Sequence, residues 1–263
     1  GSGKVHALRL EQNGGYGLGN QEGINYAVSC LEADYVIIAN PDIHVTPRCI
    51  RRVKDALDKT QGAVAASARV KDPQGGELFS YWTLLPLWKD LLDTGLVTRR
   101  LFKAMLNTPS YRLAYAGDED CRLVDAVPGS FFMLKTGLLT PGEIKEVFDK
   151  HIFLYYEEKV LGQKFRKMGL KTVLVTDESY VHAHSVSIDK SFKRIVDKQR
   201  LLHRSKLYYY KEYLGTGPAG MAAARAVLGL VLAEETQDGA LRQALRCIAA
   251  CRKDKMTYER TGR

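Results

Sequence analysis

The first two-thirds of the chain alternate short apolar runs with segments whose apolar residues recur at helical spacing. Asn20 to Leu31 places Ile24, Ala27, Val28 and Leu31 on one helical face. Tyr35-Val36-Ile37-Ile38-Ala39 is a continuous apolar run closed by Asn40-Pro41-Asp42, the pattern of a buried strand with a turn behind it. Thr46-Pro47 opens the next helix, with Pro at its first position; Ile50, Val53, Ala56 and Leu57 face inward, and the helix is predicted to end near Lys59. Ala63 to Val70 is another predicted strand. Strand, helix and strand in that order predict a βαβ unit within a mostly parallel sheet.

The pattern loosens over residues 73 to 120, which hold both tryptophans and a predicted helix around Leu84 to Leu106. Val124 to Lys135 is strand-like, Glu158 to Met168 helical, and Lys171 to Thr176 a strand after the Gly169 stop signal. From Asp189 the pattern becomes helical: Phe192, Ile195, Val196, Leu202 and Tyr209 form an apolar stripe as far as Tyr213. Gly215-Thr216-Gly217-Pro218 interrupts it, and a second helical stretch is predicted to about Cys251. The chain therefore divides into an α/β domain over 4–188 and a helical region over 189–263. No internal repeat or low-complexity tract is present.

Charge adds a modest constraint. Among 263 residues the net charge is +9, which suits a phosphorylated small substrate, an anionic membrane surface or nucleic acid. No recognised nucleic-acid motif accompanies it, so nucleic acid is not expected as a partner. The segment 189–213 carries eight Lys/Arg against three acids. Lys190, Lys193, Arg194, Lys198, Arg200 and Arg204 there could face anionic lipid, or cover the α/β domain, or a second copy in a homodimer. The longest apolar stretch, Ala219 to Ala233, contains Arg225 and is too short for a membrane span. The opening Gly-Ser-Gly has the look of a cloning remnant, no signal peptide is read, and a cytoplasmic location is expected, peripheral on the inner face of the plasma membrane if lipid is contacted. Five cysteines (Cys30, Cys49, Cys121, Cys247 and Cys251) are too few and too scattered for a disulfide scaffold; Cys247 and Cys251 share a helix face but lack further zinc ligands nearby.

Four segments carry candidate chemistry. Asn13-Gly14-Gly15-Tyr16-Gly17-Leu18-Gly19-Asn20 is a glycine-rich loop leading into a helix, either an anion site built on free N–H groups or a tight turn. It matches neither a Walker loop nor G-x-G-x-x-G. Asn40-Pro41-Asp42 sits past the carboxyl end of a strand, where open α/β sheets place ligands. Asp42 there either holds a hard divalent cation or caps the turn. Glu157 and Glu158 enter a helix behind Tyr155-Tyr156; they either offset its dipole or include a general base, and adjacent helical positions make one shared role improbable. His182 and His184, two apart after a strand, point to one face of an extended segment, as surface or core residues or as a metal or phosphate site.

In this order, together with Val124-Asp125-Ala126-Val127-Pro128-Gly129-Ser130-Phe131-Phe132, these segments resemble family 2 glycosyltransferases, nearest to bacterial rhamnosyltransferase-like enzymes that build cell-surface polysaccharides. The similarity spans about residues 5 to 210. It implies a GT-A fold, a Rossmann-like sheet with flanking helices, here lacking its usual first strands, plus C-terminal helices. It implies inverting transfer of a sugar, rhamnose foremost, from a nucleotide-sugar donor to a polysaccharide or lipid-linked acceptor. The alternative is a sugar-nucleotide-binding protein without catalysis. By the same resemblance Asn13, Gly15, Tyr16 and Asn20 line the donor site. Asn40 and Asp42 meet the diphosphate and a Mg2+ or Mn2+ ion, and Asp125 and Gly129 lie beneath the sugar and acceptor. Glu158, with Glu157 as its substitute, is the base, and His182 or His184 approaches the metal. Two departures stand out: Asn40 replaces the first acid of the Asp-x-Asp motif, and the base is Glu rather than Asp.

Overall fold

A computed structural model describes residues 5–102, 106, 120–183 and 195–234. Helix α1 (Gly15–Leu31) leads to strand β1 (Tyr35–Ala39), the short β2 (Ile43–His44), α2 (Pro47–Lys59) and β3 (Ala63–Lys71). Helices α3 (Leu87–Thr94) and α4 (Leu96–Leu101) follow, then β4 (Cys121–Val124), β5 (Phe131–Lys135) and the one-turn α5 (Pro141–Ile144). The order closes with α6 (Glu157–Lys167), β6 (Lys171–His182), α7 (Ile195–Glu212) and a last helix, α8, over 218–234.

The fold is mixed α/β with a six-stranded central sheet, flanking helices and C-terminal helices, as expected. The strand order is β1-β5-β3-β6-β2, with β4 also paired to β6. The expected predominance of parallel pairing is corrected: β3–β6 is the parallel pair, and the β1–β5, β3–β5, β2–β6 and β4–β6 ladders are antiparallel. The βαβ sense survives, because β1 and β3 both run opposite to β5 and hence parallel to each other. What the pattern could not show is that β5 enters between them. The single strand expected over 124–135 is two, β4 and β5, separated by the bend at Asp125–Ser130.

Local chemistry accounts for the element ends. Thr46 caps α2 by accepting a hydrogen bond from Cys49 N at 3.0 Å, and Pro47 occupies the first turn. Its Val53, Ala56 and Leu57 are buried on the sheet. Val53 and Leu57 contribute about 1.5–3 kcal/mol each and the single methyl of Ala56 about 0.8 kcal/mol. Helix α1 begins five residues before the predicted start, so Gly15 to Asn20 form its first turns. The predicted helix at 84–106 is broken at Gly95 into α3 and α4.

Two apolar clusters cover the two faces of the sheet. Along β5, Phe132 and Leu134 join α1 and α6 on one face, while Phe131 and Met133 join α2 on the other, the period-two alternation of a strand covered on both sides. A third cluster, with Leu91, Tyr156, Val160, Tyr209, Tyr210, Met221, Ala224 and Leu228, packs α7 and α8 onto α3 and α6. The basic residues of α7 divide: Arg200 and Arg204 are exposed, Lys198 is half-buried, and Lys190, Lys193 and Arg194 lie outside the described residues. Among the described residues no helix is long and apolar enough to cross a membrane.

Candidate active site

A cavity of about 870 Å³ opens where the ends of β1 and β6 meet the start of α6. Three sheet features deliver its polar residues. First, Asn40 follows β1, and its N–H donates to Ser130 O at 2.8 Å, joining the Asn40–Asp42 turn to the Gly129–Ser130 bend. Second, β6 carries a bulge: Ala68 pairs with Val175 but the next residue, Arg69, pairs with Ser179. Salt bridges from α2, Arg52–Asp177 at 2.9 Å and Arg48–Glu178 at 2.7 Å, hold it. Bulges bend a strand and re-aim its end. Third, the bent end pairs with β2, Ile43 opposite His182, and Ala183 N donates to Asp42 O at 3.0 Å.

That pairing sets His182 Nε2 3.3 Å from Asp42 Oδ1. The Asp42 oxygen is buried and has no hydrogen-bond partner, an arrangement that costs desolvation unless a further group satisfies it. Asp42, His182 and Asn40 all line the cavity. No cluster of three His, Cys, Asp or Glu able to hold a metal occurs among the described residues. His184 lies outside those residues.

The facing wall is the start of α6. Tyr155 and Tyr156 both have φ of +73°, a left-handed conformation that costs non-glycine residues of order 1 kcal/mol each. This turn brings Glu157 and Glu158, in the first turn of the helix, to the cavity wall. Their surroundings differ. Glu158 Oε1 accepts from Gly129 N at 3.3 Å, whereas buried Glu157 Oε1 has no partner. Burial, then the Glu158 charge, pushes the Glu157 carboxyl up to about 8. Burial also raises Glu158, opposed by backbone N–H groups including that of Gly129 and by Lys159. Near neutral pH Glu157 therefore keeps its proton, while at Glu158 the backbone N–H groups and Lys159 work against the upward push of burial.

The glycine-rich segment is a docking device more than an open loop. Tyr16 N donates to Phe153 O at 3.0 Å; at Gly15, φ is +85° and a Cβ would lie 2.0 Å from that carbonyl. The close approach lets Tyr16 reach the cavity, where its hydroxyl donates to Gly129 O at 2.5 Å. Its neighbours serve α1 itself: Asn13 Oδ1 accepts from Gly15 N, and Asn20 Nδ2 donates to Tyr16 O. Asn13, Gly15 and Asn20 do not line the cavity, and neither does Asp125. Asp125 accepts from Leu84 N at 2.8 Å and Arg166 at 2.6 Å, tying the bend to α6.

The rest of the lining escaped sequence reasoning. Val70, Leu78, Phe79, Trp82, Leu154 and Leu202 give the cavity a largely apolar wall. The rings of Phe79 and Trp82 meet edge-on at 5.3 Å. The one available signal was the aromatic run Phe79-Ser80-Tyr81-Trp82 within an otherwise irregular stretch.

No family model matches the chain. Similarity to curated proteins is found over 160 residues, at 28% identity, to N-acetylglucosaminyl-diphospho-decaprenol L-rhamnosyltransferase from Mycobacterium tuberculosis, strains CDC 1551 / Oshkosh and ATCC 25618 / H37Rv. The match covers 59% of this chain and 50% of each relative, so the chain aligns with about half the length of the curated relatives it matches.

Proposed function

We propose that this chain carries the donor-binding and catalytic part of an inverting family 2 glycosyltransferase of GT-A type. It moves a sugar, rhamnose first among the candidates, from a nucleoside-diphosphate donor to a lipid-linked glycan acceptor. The observation that carries this reading is the meeting, in one cavity with an apolar wall, of the Asp42–His182 pair and the Glu157–Glu158 pair. The similarity to a rhamnosyltransferase that acts on a diphospho-decaprenol acceptor supports it.

Asp42 and His182 fit a Mg2+ or Mn2+ ion, because a buried carboxylate oxygen without a hydrogen-bond partner and an imidazole nitrogen form a two-donor set that donor phosphates would complete. When bound there, the ion offsets the diphosphate charge and stabilises it as leaving group. Gly129 N–H orients Glu158, whose carboxylate takes the proton of an acceptor hydroxyl as that oxygen attacks the anomeric carbon. The new glycosidic bond forms as the bond from the anomeric carbon to the diphosphate breaks, with inversion and no covalent intermediate. Tyr16 holds the Gly129 carbonyl, so the strand bend under the reacting atoms keeps its place. Phe79, Trp82 and Leu202 supply an apolar boundary for the acceptor and exclude water.

The test is Glu158→Gln. Transfer falls about 10²–10⁴-fold, the range for a lost general base, while donor affinity changes little. Equal loss of both would remove Glu158 from the role of base.

A further inference from the structure

Asp90 is 2% exposed, lies on α3 and does not line the cavity. Four side chains, from the turn before α6, from α6 and from α7, converge on its carboxylate. Tyr156 and Tyr210 hydroxyls donate to Oδ2 at 2.5 and 2.6 Å, the Lys159 ammonium bonds Oδ1, and the Lys206 ammonium sits 3.7 Å from Oδ2. Burial of a lone carboxylate at this depth costs several kcal/mol, and it is retained only with such partners. Two of the four belong to the turn and first residues of the helix that bears the Glu pair. Tyr156 is the second of the two left-handed residues, and Lys159 follows Glu158 directly. Both ammoniums also lie over the Tyr156 ring, 4.6 and 5.3 Å from its centroid, and Tyr209 meets that ring edge-on at 5.3 Å. Tyr156 is thus gripped at its hydroxyl and at its ring.

We infer that Asp90 is a positioning residue: through the Tyr156 hydroxyl and Lys159 it holds the left-handed Tyr155–Tyr156 turn, and that turn aims Glu157 and Glu158 into the cavity. A left-handed pair of tyrosines does not persist unless its surroundings over-determine it, and the Asp90 contacts are a buried, charge-assisted restraint on it. Through Lys206 and Tyr210 the same carboxylate links α7 to the site, so the C-terminal helices take part in fixing its geometry. The catalytic consequence rests on the reading of Glu158 as base; the conformational one does not.

The decisive comparison is between Tyr156→Phe and Tyr210→Phe. Each deletes one hydrogen bond to the same oxygen and keeps its ring; Tyr156→Phe also deletes the acceptor of a 3.2 Å hydrogen bond from Lys159 Nζ, itself part of the Asp90 cluster. Only Tyr156 belongs to the turn. Tyr156→Phe is expected to lower kcat tenfold or more with donor KM within twofold, and to speed amide hydrogen exchange over residues 153–160. Tyr210→Phe is expected to lower kcat no more than threefold and to leave exchange there within twofold of the parent. Asp90→Asn, if it folds, behaves as Tyr156→Phe. Equal kcat losses in the two phenylalanine variants, or unchanged exchange over 153–160 in Tyr156→Phe, overturns the proposal. If the parent protein transfers no sugar, the exchange measurement still decides the positioning role, and the functional reading fails separately.

Discussion

Replacing Glu157 by Gln should stabilise the protein above pH 6 and flatten part of its pH dependence. The folded state holds this carboxyl protonated up to about pH 8, against an ordinary value of 4.5, because it is buried beside Glu158. The sign follows from linkage: the folded state binds the proton more tightly than the unfolded chain. The stabilisation is therefore complete below pH 4.5 and is lost as pH rises toward 8. Each pH unit in that window costs about 1.4 kcal/mol. By pH 7 the parent has forgone roughly 3 kcal/mol, which relaxation and proton sharing with Glu158 reduce to about 1.5–3 kcal/mol. The amide of Gln carries no such titration and fills the same space. Urea midpoints measured from pH 5 to 8 for both proteins read the effect, with the linked titration of Glu158 included in it. The gap between them should widen with pH in favour of Glu157→Gln. A constant gap would refute the buried, protonated state assigned to Glu157.

Further outcomes follow from the same geometry. Asp42→Asn should weaken donor binding about tenfold in manganese and leave little difference when EDTA is present; an unchanged metal dependence by titration calorimetry removes Asp42 from the ion site. Gly129→Ala places a Cβ 3.0 Å from Tyr16 Oη and 3.2 Å from Glu158 Oε1, so kcat should fall while the melting temperature drops only modestly. Gly15→Ala meets both a left-handed φ and the Phe153 carbonyl; a loss of about 2–4 kcal/mol in urea unfolding is expected, and a neutral effect would contradict the docking role of this segment. Thr46→Ala should cost about 1 kcal/mol through its lost cap on α2, with activity retained.

The legible parts of this chain were those governed by local chemistry. The Thr46-Pro47 start of α2, its inward Val53, Ala56 and Leu57, and the apolar strands β1 and β3 each follow from a few adjacent residues. The insertion of β5 between β1 and β3 was not legible, because an antiparallel partner for two parallel strands is a choice of topology, not of periodicity. The same limit applies to the site. Asn40, Asp42, Tyr16, Gly129, His182 and both Glu residues do meet in one cavity, and their motif order had grouped them. Asp125, Asn13 and Asn20 belong to the same motifs yet spend their side chains on local structure, which only the hydrogen-bond partners reveal. Asp90 lay in the predicted helix of the loosely patterned stretch 73–120, and its importance arises from tyrosines and lysines 66 to 120 positions away.

The most direct test of the glycosyl-transfer reading is to incubate the parent protein and Glu158→Gln with dTDP-, UDP- and GDP-sugars, manganese and a diphospho-polyprenyl N-acetylglucosamine, and to weigh the lipid product. The account predicts the addition of one sugar residue, from one donor, by the parent protein and at least about a hundredfold slower addition by the variant. No addition from any donor by a protein that still binds a nucleoside diphosphate would contradict it, and would leave a nucleotide-sugar-binding protein in its place.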